Sequence, residues 1–314
     1  LGAIYEIDFY DFSFGFREKR SAHQALKSLR EGCYKEKVSV VIDADISKFF
    51  DKMPHDRIRE ILWLRINDGK ITRLIGKWLN AGVVEQDQIH YPDCGSPQGG
   101  VISPLIANIF LHHVLDEWYV KQVKPKLQSR SFLVRFADDF VLGCESEEDA
   151  HRIMRVLPKR FEKFGLSIHP EKSKMICFKQ PNKHEEKSGN GTFDYLGFTH
   201  YWGRSRQGNW VIKRQTMRKR QARAMRNLYL YCRDNKHESV SEQYRKLCSK
   251  LHGLYNYYGI ICNYRPLLML YEHVRSVWRR WLGRRTRNGY ISWEKFLAFL
   301  NVWKLPRPKI KARV

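Results

Sequence analysis

The sequence predicts an α+β body over residues 1–201 and an all-helical, strongly basic segment over residues 202–314. Two observations carry this division. Short β-branched runs alternate with amphipathic stretches up to residue 214, and only the helical period continues after it. Charge divides near the same point: residues 202–314 hold 27 Lys+Arg against 5 Asp+Glu, a net of +22, whereas residues 1–201 hold 30 against 28. A segment with that excess seeks polyanions, nucleic acid first among them, the alternatives being a solvated basic face or a patch for anionic lipid.

Taken in order, "SAHQALKSLREG" opens on a capping box, Ser21 with Gln24, and is expected to close at Gly32. "VSVVIDADI" (38–46) is β-branched and predicts a buried strand. Helical periodicity covers 55–66 and 71–80. "GGVISPLIANIFLHHVLDEW" aligns Ile102, Leu105, Ile106, Ile109, Phe110 and Val114 on one face and predicts a long buried helix. "FLVRF" and "FVLGC" predict short strands on either side of an Ala-Asp-Asp turn. "SEEDAHRIMRVLPKRFEKFG" begins with acidic residues suited to a helix N-terminus. "LSIHP", "SKMICF" and "FDYLGFTHYW" predict short strands, and helices follow over roughly 215–235, 239–258, 264–286 and 291–300.

The 314 residues, 43% of them hydrophobic, suffice for one large core or two to three smaller ones. No uncharged apolar run is long enough to predict a membrane span, and no basic-then-apolar leader opens the chain. The seven cysteines are scattered and never spaced C-x-x-C, which argues against a disulfide framework or a zinc module and predicts a reduced, cytoplasmic setting.

In "SFLVRFADDFVLGC" (131–144), Asp138 and Asp139 stand together inside an apolar run. Two carboxylates a few ångströms apart repel, and one is forced to hold a proton unless a cation meets them. For an isolated pair, an exposed turn is the plain reading. A second acidic strand end, "IDADISKFFD", alters the balance. Two such ends side by side can hold divalent cations through oxygen, and a pair of ions clamps the attacking and leaving oxygens in phosphoryl transfer. The stretch "CGSPQGGVISPLIANIF" (94–110) carries no charge in a chain where 29% of residues are charged. Its Gly95, Gly99 and Gly100 permit close backbone approach, Pro97 and Pro104 stiffen it, and Gln98 offers a polar contact. Such a loop can lie against a nucleotide or a base pair; an ordinary helix start is the alternative.

"DADISKFFDKMPH", "SPQGGVISPLIANIFLHHVLDEW", "FADD", "LSIHPEKSK" and "FDYLGFTHYWGR" stand in the order of the reverse transcriptase motifs. In detail they resemble the reverse transcriptase/maturase proteins encoded by bacterial group II introns. "GFREKRSAHQAL" is similar to the end of that family's second block, and "YNYYGI", "VWRRWLGRR" and "LPRPKI" resemble its thumb, or maturase domain X. The resemblance implies a right-hand polymerase fold: the remaining part of the fingers over 1–36, a palm over 37–201, and an all-α basic thumb/maturase X domain over 202–314. It also implies RNA-directed DNA polymerase activity, in which a primer 3′-hydroxyl attacks a dNTP with two Mg²⁺ ions, or Mn²⁺, bridging carboxylates and phosphates.

The resemblance assigns the three metal-binding aspartates to Asp45, Asp138 and Asp139, with the main-chain carbonyl of Ile46 also touching a metal. Asp45 is preferred to Asp43 because it precedes Phe50 by five residues, and Phe50 matches the aromatic gate against ribonucleotides. Asp43 is then expected to be a capping or surface group, and Asp51 a turn residue. Gln98 matches a glutamine lining the dNTP pocket, and Lys172 a lysine that assists the leaving pyrophosphate, a solvated loop lysine being the alternative. Arg17, Arg20, Phe136 and Gly99 match primer or template positions. Phe136 stands where tyrosine is usual, so the ring is kept and a hydroxyl toward the primer end is lost. The chain opens without methionine inside the second block, so the family's triphosphate-binding fingers residues are expected either in a longer protein or from elsewhere. No DNA-binding extension or Cys/His-type endonuclease is expected after residue 314.

In the basic segment, "KRQTMRKRQARAMR" (213–226) has seven basic residues in fourteen. Lys213, Arg214, Arg218, Lys219, Arg223 and Arg226 are expected to cover more than one face of a helix, as contact with a phosphate backbone requires. "VWRRWLGRRTR" is expected to turn its rings inward and its guanidiniums out, and Tyr255, Tyr257 and Tyr258 are expected in the core. The implied partners are intron and template RNA, a DNA primer or target, and dNTPs, with no membrane and the oligomeric state open. Two further readings stay open: an RNA-binding splicing maturase with little or no polymerase activity, and a domesticated reverse transcriptase in phage defence or DNA repair.

Overall fold

The computed structural model describes residues 1–80, 83–85, 88–90, 95, 102–184, 191–286 and 289–312. The chain divides into two compact units, one of residues 1–196 with 202–211, the other of 197–201 with 212–314.

In the first unit a short helix α1 (Gly2–Tyr5) precedes α2 (Ala22–Lys35). Ser21 caps α2 by accepting from the Gln24 amide at 3.3 Å, as the capping box predicts. The helix runs through Gly32, where the sequence predicts its end. A Cβ there would stand 2.9 Å from the Phe132 ring, so this glycine lets the helix approach the sheet and does not stop it. Next come β1 (Val40–Ala44), α3 (Phe49–Lys52), α4 (His55–Trp63) and α5 (Gly69–Leu79), the last capped by the Asp68 carboxylate. A hairpin of β2 (Val83–Glu85) and β3 (Gln88–His90) leads toward α6 (Ser103–Leu111). The long helix predicted here is α-helical only to Leu111. It then widens into π-helical turns at His112–Asp116 and Tyr119–Val123, a change the apolar pattern does not reveal.

Strands β4 (Ser131–Phe136) and β5 (Asp139–Cys144) form the hairpin around Ala137 and Asp138. Helix α7 (Glu147–Glu162) follows, N-capped by Ser146 with Glu147, Glu148 and Asp149 in its first turn. After β6 (Lys174–Cys177) come β7 (Phe193–Tyr195), β8 (Phe198–Arg204) and β9 (Trp210–Thr216), hydrogen-bonded in that order. "LSIHP" makes an isolated bridge, Ile46 to Ile168, rather than a strand.

The central sheet has the order β4-β5-β1-β6 and is antiparallel throughout. Its register sets Ala44 against Phe140, Asp43 against both Val141 and Lys174, and Phe136 against Asp139. Because side chains alternate along a strand, Ile42, Leu133, Arg135, Phe140 and Leu142 share one face. The apolar members of that face pack in the core with Phe110, Leu157 and Phe161, and Phe140 stacks on Phe161 at 6.1 Å. Asp43 and Asp139 lie on the opposite face with Val41, Val134 and Val141.

The second unit contains α8 (Arg218–Asp234), α9 (Val240–Tyr258), α10 (Tyr264–Gly283) and α11 (Trp293–Val302). Trp278 sits at its centre among Leu247, Leu251, Val274 and Phe296, and donates from Nε1 to Gln243 Oε1 at 2.9 Å. Fully buried Asn263 donates to Thr216 Oγ1 and the Tyr258 carbonyl, and accepts from the Thr216 amide, each at 2.8 Å. Tyr255 is buried, and Tyr257 and Tyr258 pack on Phe198. The predicted basic helix needs one correction. It begins at Arg218, so Lys213 and Arg214 lie on β9, where Trp210, Ile212, Arg214 and Thr216 are buried alternately in the period of a strand. Among the described residues the cysteines are free thiols, and no helix is long and apolar enough to cross a membrane.

Candidate active site

Asp45 lies one residue beyond β1, with its backbone held on both sides. Its amide donates to Ser173 Oγ at 3.1 Å, and its carbonyl accepts from the His169 amide at 2.8 Å. Its carboxylate receives Lys172 Nζ at 3.0 Å. Phe50 is half-buried and meets Phe49 edge-on at 5.2 Å, while Ile46 is buried. Asp45, Ile46, Phe50, Asp138, His169 and Lys172 line one cleft of about 520 Å³.

Asp138 reaches that cleft from the tip of the β4–β5 hairpin. Phe136 pairs with Asp139, which leaves Ala137 and Asp138 as the two turn residues, and Ala137 takes the left-handed conformation, φ 57°. Burial raises the Asp138 carboxyl above its usual range, with Asp45 adding to the effect. Asp139, at the start of β5, is pushed up to about 7, first by burial and then by Asp43 and Asp138, against a backbone hydrogen bond from Leu196. Asp43 is pushed up to about 6 by burial, then by Asp194 and Asp45, with Lys174 opposing. Asp43 is therefore neither a cap nor a surface group; it is part of the same carboxylate cluster. The sequence held the signal, since residues 43 and 45 are two apart and share a strand face. Among the described residues, no three Asp, Glu, His or Cys side chains are already drawn together tightly enough to hold one ion by themselves.

The structure thus brings Asp45, Ile46, Phe50, Asp138 and Lys172 to one cleft, with Asp139 beside it. Gln98 and Gly99, with Pro97 and Gly100, lie outside the described residues. Phe136, half-buried, closes β4 opposite Asp139. Arg17 is 8% exposed, and its guanidinium is engaged by Glu6 at 2.8 Å and by the carbonyls of Tyr10 and Ser13, both at 2.7 Å. It fastens its own loop and is turned away from solvent. Arg20 is ion-paired to Asp11 at 2.6 Å. In the second unit Arg218, Lys219, Arg223 and Arg226 are exposed, whereas Arg214 is 3% exposed. Arg135, fully buried in β4, carries no mark of its burial in the sequence.

Residues 4–200 match the family model described as reverse transcriptase (RNA-dependent DNA polymerase). The group II intron-encoded protein LtrA of Lactococcus lactis subsp. cremoris is 37% identical over 187 residues, which is 58% of this chain and 30% of LtrA. Protein YkfC of Escherichia coli (strain K12) is 31% identical over 180 residues, 48% of this chain and 47% of that protein. The chain thus spans less than half the length of these relatives. The structure of apo telomerase from Candida tropicalis superposes with a TM-score of 0.52 at 12% identity, covering 96% of this chain and 52% of the other, a likeness of fold alone. The family match takes in well over half of the chain, which therefore belongs to the reverse transcriptase (RNA-dependent DNA polymerase) family.

Proposed function

We propose that this chain carries the catalytic core of a group II intron-type RNA-directed DNA polymerase, with 1–36 as remaining fingers, 37–201 as palm and 202–314 as thumb/maturase X domain. One observation supports this reading above the others: Asp45 and Asp138, from just beyond β1 and from the β4–β5 turn, line a single cleft with Phe50, and Asp139 packs beside them.

The donor set fits a hard divalent cation. It consists of oxygen, and no ion pair among the described residues engages Asp138 or Asp139; backbone hydrogen bonds and Arg135 offset their burial and repulsion only in part, since both carboxyls stay raised. Asp45, Asp138 and Asp139, with the Ile46 carbonyl, would hold two Mg²⁺ ions, or Mn²⁺. Bound there, such ions supply phosphate charge neutralisation and a more acidic primer hydroxyl. The primer 3′-hydroxyl releases its proton to solvent water, its oxygen bonds to the α-phosphorus, the bond to the bridging oxygen breaks, and pyrophosphate leaves. Ser173 and His169 fix the backbone of Asp45 for this task. Phe50 lies against the sugar and leaves no room for a 2′-hydroxyl. Lys172 moves from Asp45 to the departing pyrophosphate and gives it a proton. Gln98 and Gly99 line the nucleotide and template, and Phe136 and Arg20 flank primer and template. Primer extension by the complete protein on an RNA template with Mg²⁺ tests this: loss of extension in Asp138→Ala supports it, and unchanged extension overturns it.

A second activity is supported by the second unit. Arg218, Lys219, Arg223 and Arg226 stand exposed on the first half of α8, where only Leu228 and Cys232 of the whole helix are buried. Arg279 lies 4.3 Å over the Trp293 ring, and Tyr290 is 78% exposed beside it, groups suited to unpaired RNA bases. These features support intron RNA binding and a maturase role in splicing alongside polymerisation. Filter binding that shows no preference for the host intron over random RNA would count against it, and a gene without flanking intron RNA would favour the domesticated role.

A further inference from the structure

The turn that carries Asp138 is held from outside as well as by its own residues. Ala137 occupies a left-handed conformation that L-residues rarely adopt, and it is not one of the glycine, asparagine or aspartate residues that suit it. On the sheet face away from Asp139, fully buried Arg135 reaches back to the turn. Its Nη1 donates to the Ala137 carbonyl and to Asn108 Oδ1, both at 3.0 Å. Its Nε and Nη2 grip both carboxylate oxygens of Asp116, at 2.8 and 2.5 Å. Asn108, also fully buried, donates from Nδ2 to the Gly15 carbonyl at 2.6 Å. Gly15 in turn lies so close to the turn that a Cβ on it would stand 2.3 Å from the Ala137 amide nitrogen. The same edge is pinned by backbone bonds from Phe14 to the Arg135 carbonyl and from Arg135 to the Phe12 carbonyl, each 2.9 Å. Asp116 is delivered inward by the π-helical turn that ends α6.

We propose that Arg135, Asp116 and Asn108 are positioning residues: a buried strut that locks the Ala137–Asp138 turn from behind and so sets where the Asp138 and Asp139 carboxylates stand for metal and primer. This rests on the polymerase reading for its consequence in turnover, but the geometry of the carboxylates is its direct subject. Removing one partner of a buried charged pair destabilises a fold, whereas replacing both with apolar groups of similar size is often tolerated. The double variant Arg135→Met with Asp116→Leu therefore separates positioning from folding. Asn108→Ala, which keeps the ion pair and removes the links to Gly15 and Arg135, is the second arm.

The experiment measures Mn²⁺ binding to the complete, metal-free protein by electron paramagnetic resonance, thermal melting, and primer extension resolved into kcat and KM for dNTP. The strut predicts variants that melt near the wild type, bind Mn²⁺ at least about five-fold more weakly, and lose about ten- to a hundred-fold in kcat with KM changed by less than about three-fold, as misplacement near 1 Å does. Folded variants with wild-type Mn²⁺ affinity and kcat overturn the strut. If the double variant does not fold, Asn108→Ala decides by the same criteria. A wild-type protein that binds Mn²⁺ but extends no primer defeats the polymerase reading alone, leaving the Mn²⁺ comparison to judge the strut; a wild type that binds no Mn²⁺ defeats both.

Discussion

Lys172 Nζ stands 3.0 Å from Asp45 Oδ2 at the edge of the cleft, a pair in which both side chains are about half exposed. An exposed pair of this kind contributes at most about 1 kcal/mol to stability. Lys172→Ala is therefore expected to leave the melting temperature nearly unchanged while lowering kcat about a hundred-fold or more, the usual contribution of a positioned general acid. A variant with wild-type turnover would return Lys172 to the role of a solvated loop lysine.

The carboxylate cluster predicts an unusual pH dependence. Asp139, at about 7, and Asp43, at about 6, hold protons more tightly in the folded chain than at their ordinary value of 3.8. Between those values the folded state binds more protons than the unfolded state, so metal-free stability falls as pH rises from about 4 to about 7, then levels off. Divalent metal requires ionised carboxylates, so stabilisation by Mg²⁺ is small at low pH and grows toward pH about 8. Melting curves in chelator and in Mg²⁺ at several pH values check both trends.

Asp139→Asn removes one of the repelling charges. It is expected to raise the metal-free melting temperature above pH 7 by a few degrees, equivalent to about 1–2 kcal/mol, while abolishing primer extension. Lower stability in chelator at that pH would show that Asp139 is instead held by favourable contacts.

Exposed α8 residues are predicted to act by charge. Replacing Arg218, Lys219, Arg223 and Arg226 with glutamine leaves folding intact, since all four are exposed. RNA affinity measured across salt concentrations is expected to fall, and the slope of log K against log salt to shrink by about 0.7 to 0.9 for each phosphate that is no longer neutralised. Unchanged slope would place the RNA surface elsewhere.

Local pattern made much of the fold legible. β-Branched and apolar runs located β1, β4 and β5 with the acidic strand end and the hairpin tip beside them, while the choice of Asp45 over Asp43 came from the resemblance, through Phe50. What escaped depends on contacts distant in sequence. Gly32 reads as a helix stop until Phe132 is seen against it. Arg17 and Arg135 are equally basic in the sequence, and only tertiary pairing with Glu6 and Asp116 shows both engaged inside the protein. Strand β9 carries Lys213 and Arg214 beside a basic helix, so charge masked its period of two. Asp43 was legible by parity with Asp45, but its burial required the neighbouring strands.

Asp45 and Asp138 are predicted to share divalent metal in the nucleotide-bound complex. A crystal of the complete protein with an RNA template, a dideoxy-terminated DNA primer, a dNTP and Mn²⁺ tests it most directly through the anomalous signal of the metal. A peak is expected about 2.1–2.2 Å from a carboxylate oxygen of each of Asp45 and Asp138, and in contact with the dNTP phosphates. A well-ordered dNTP complex in which those two carboxylates contact no metal would contradict it.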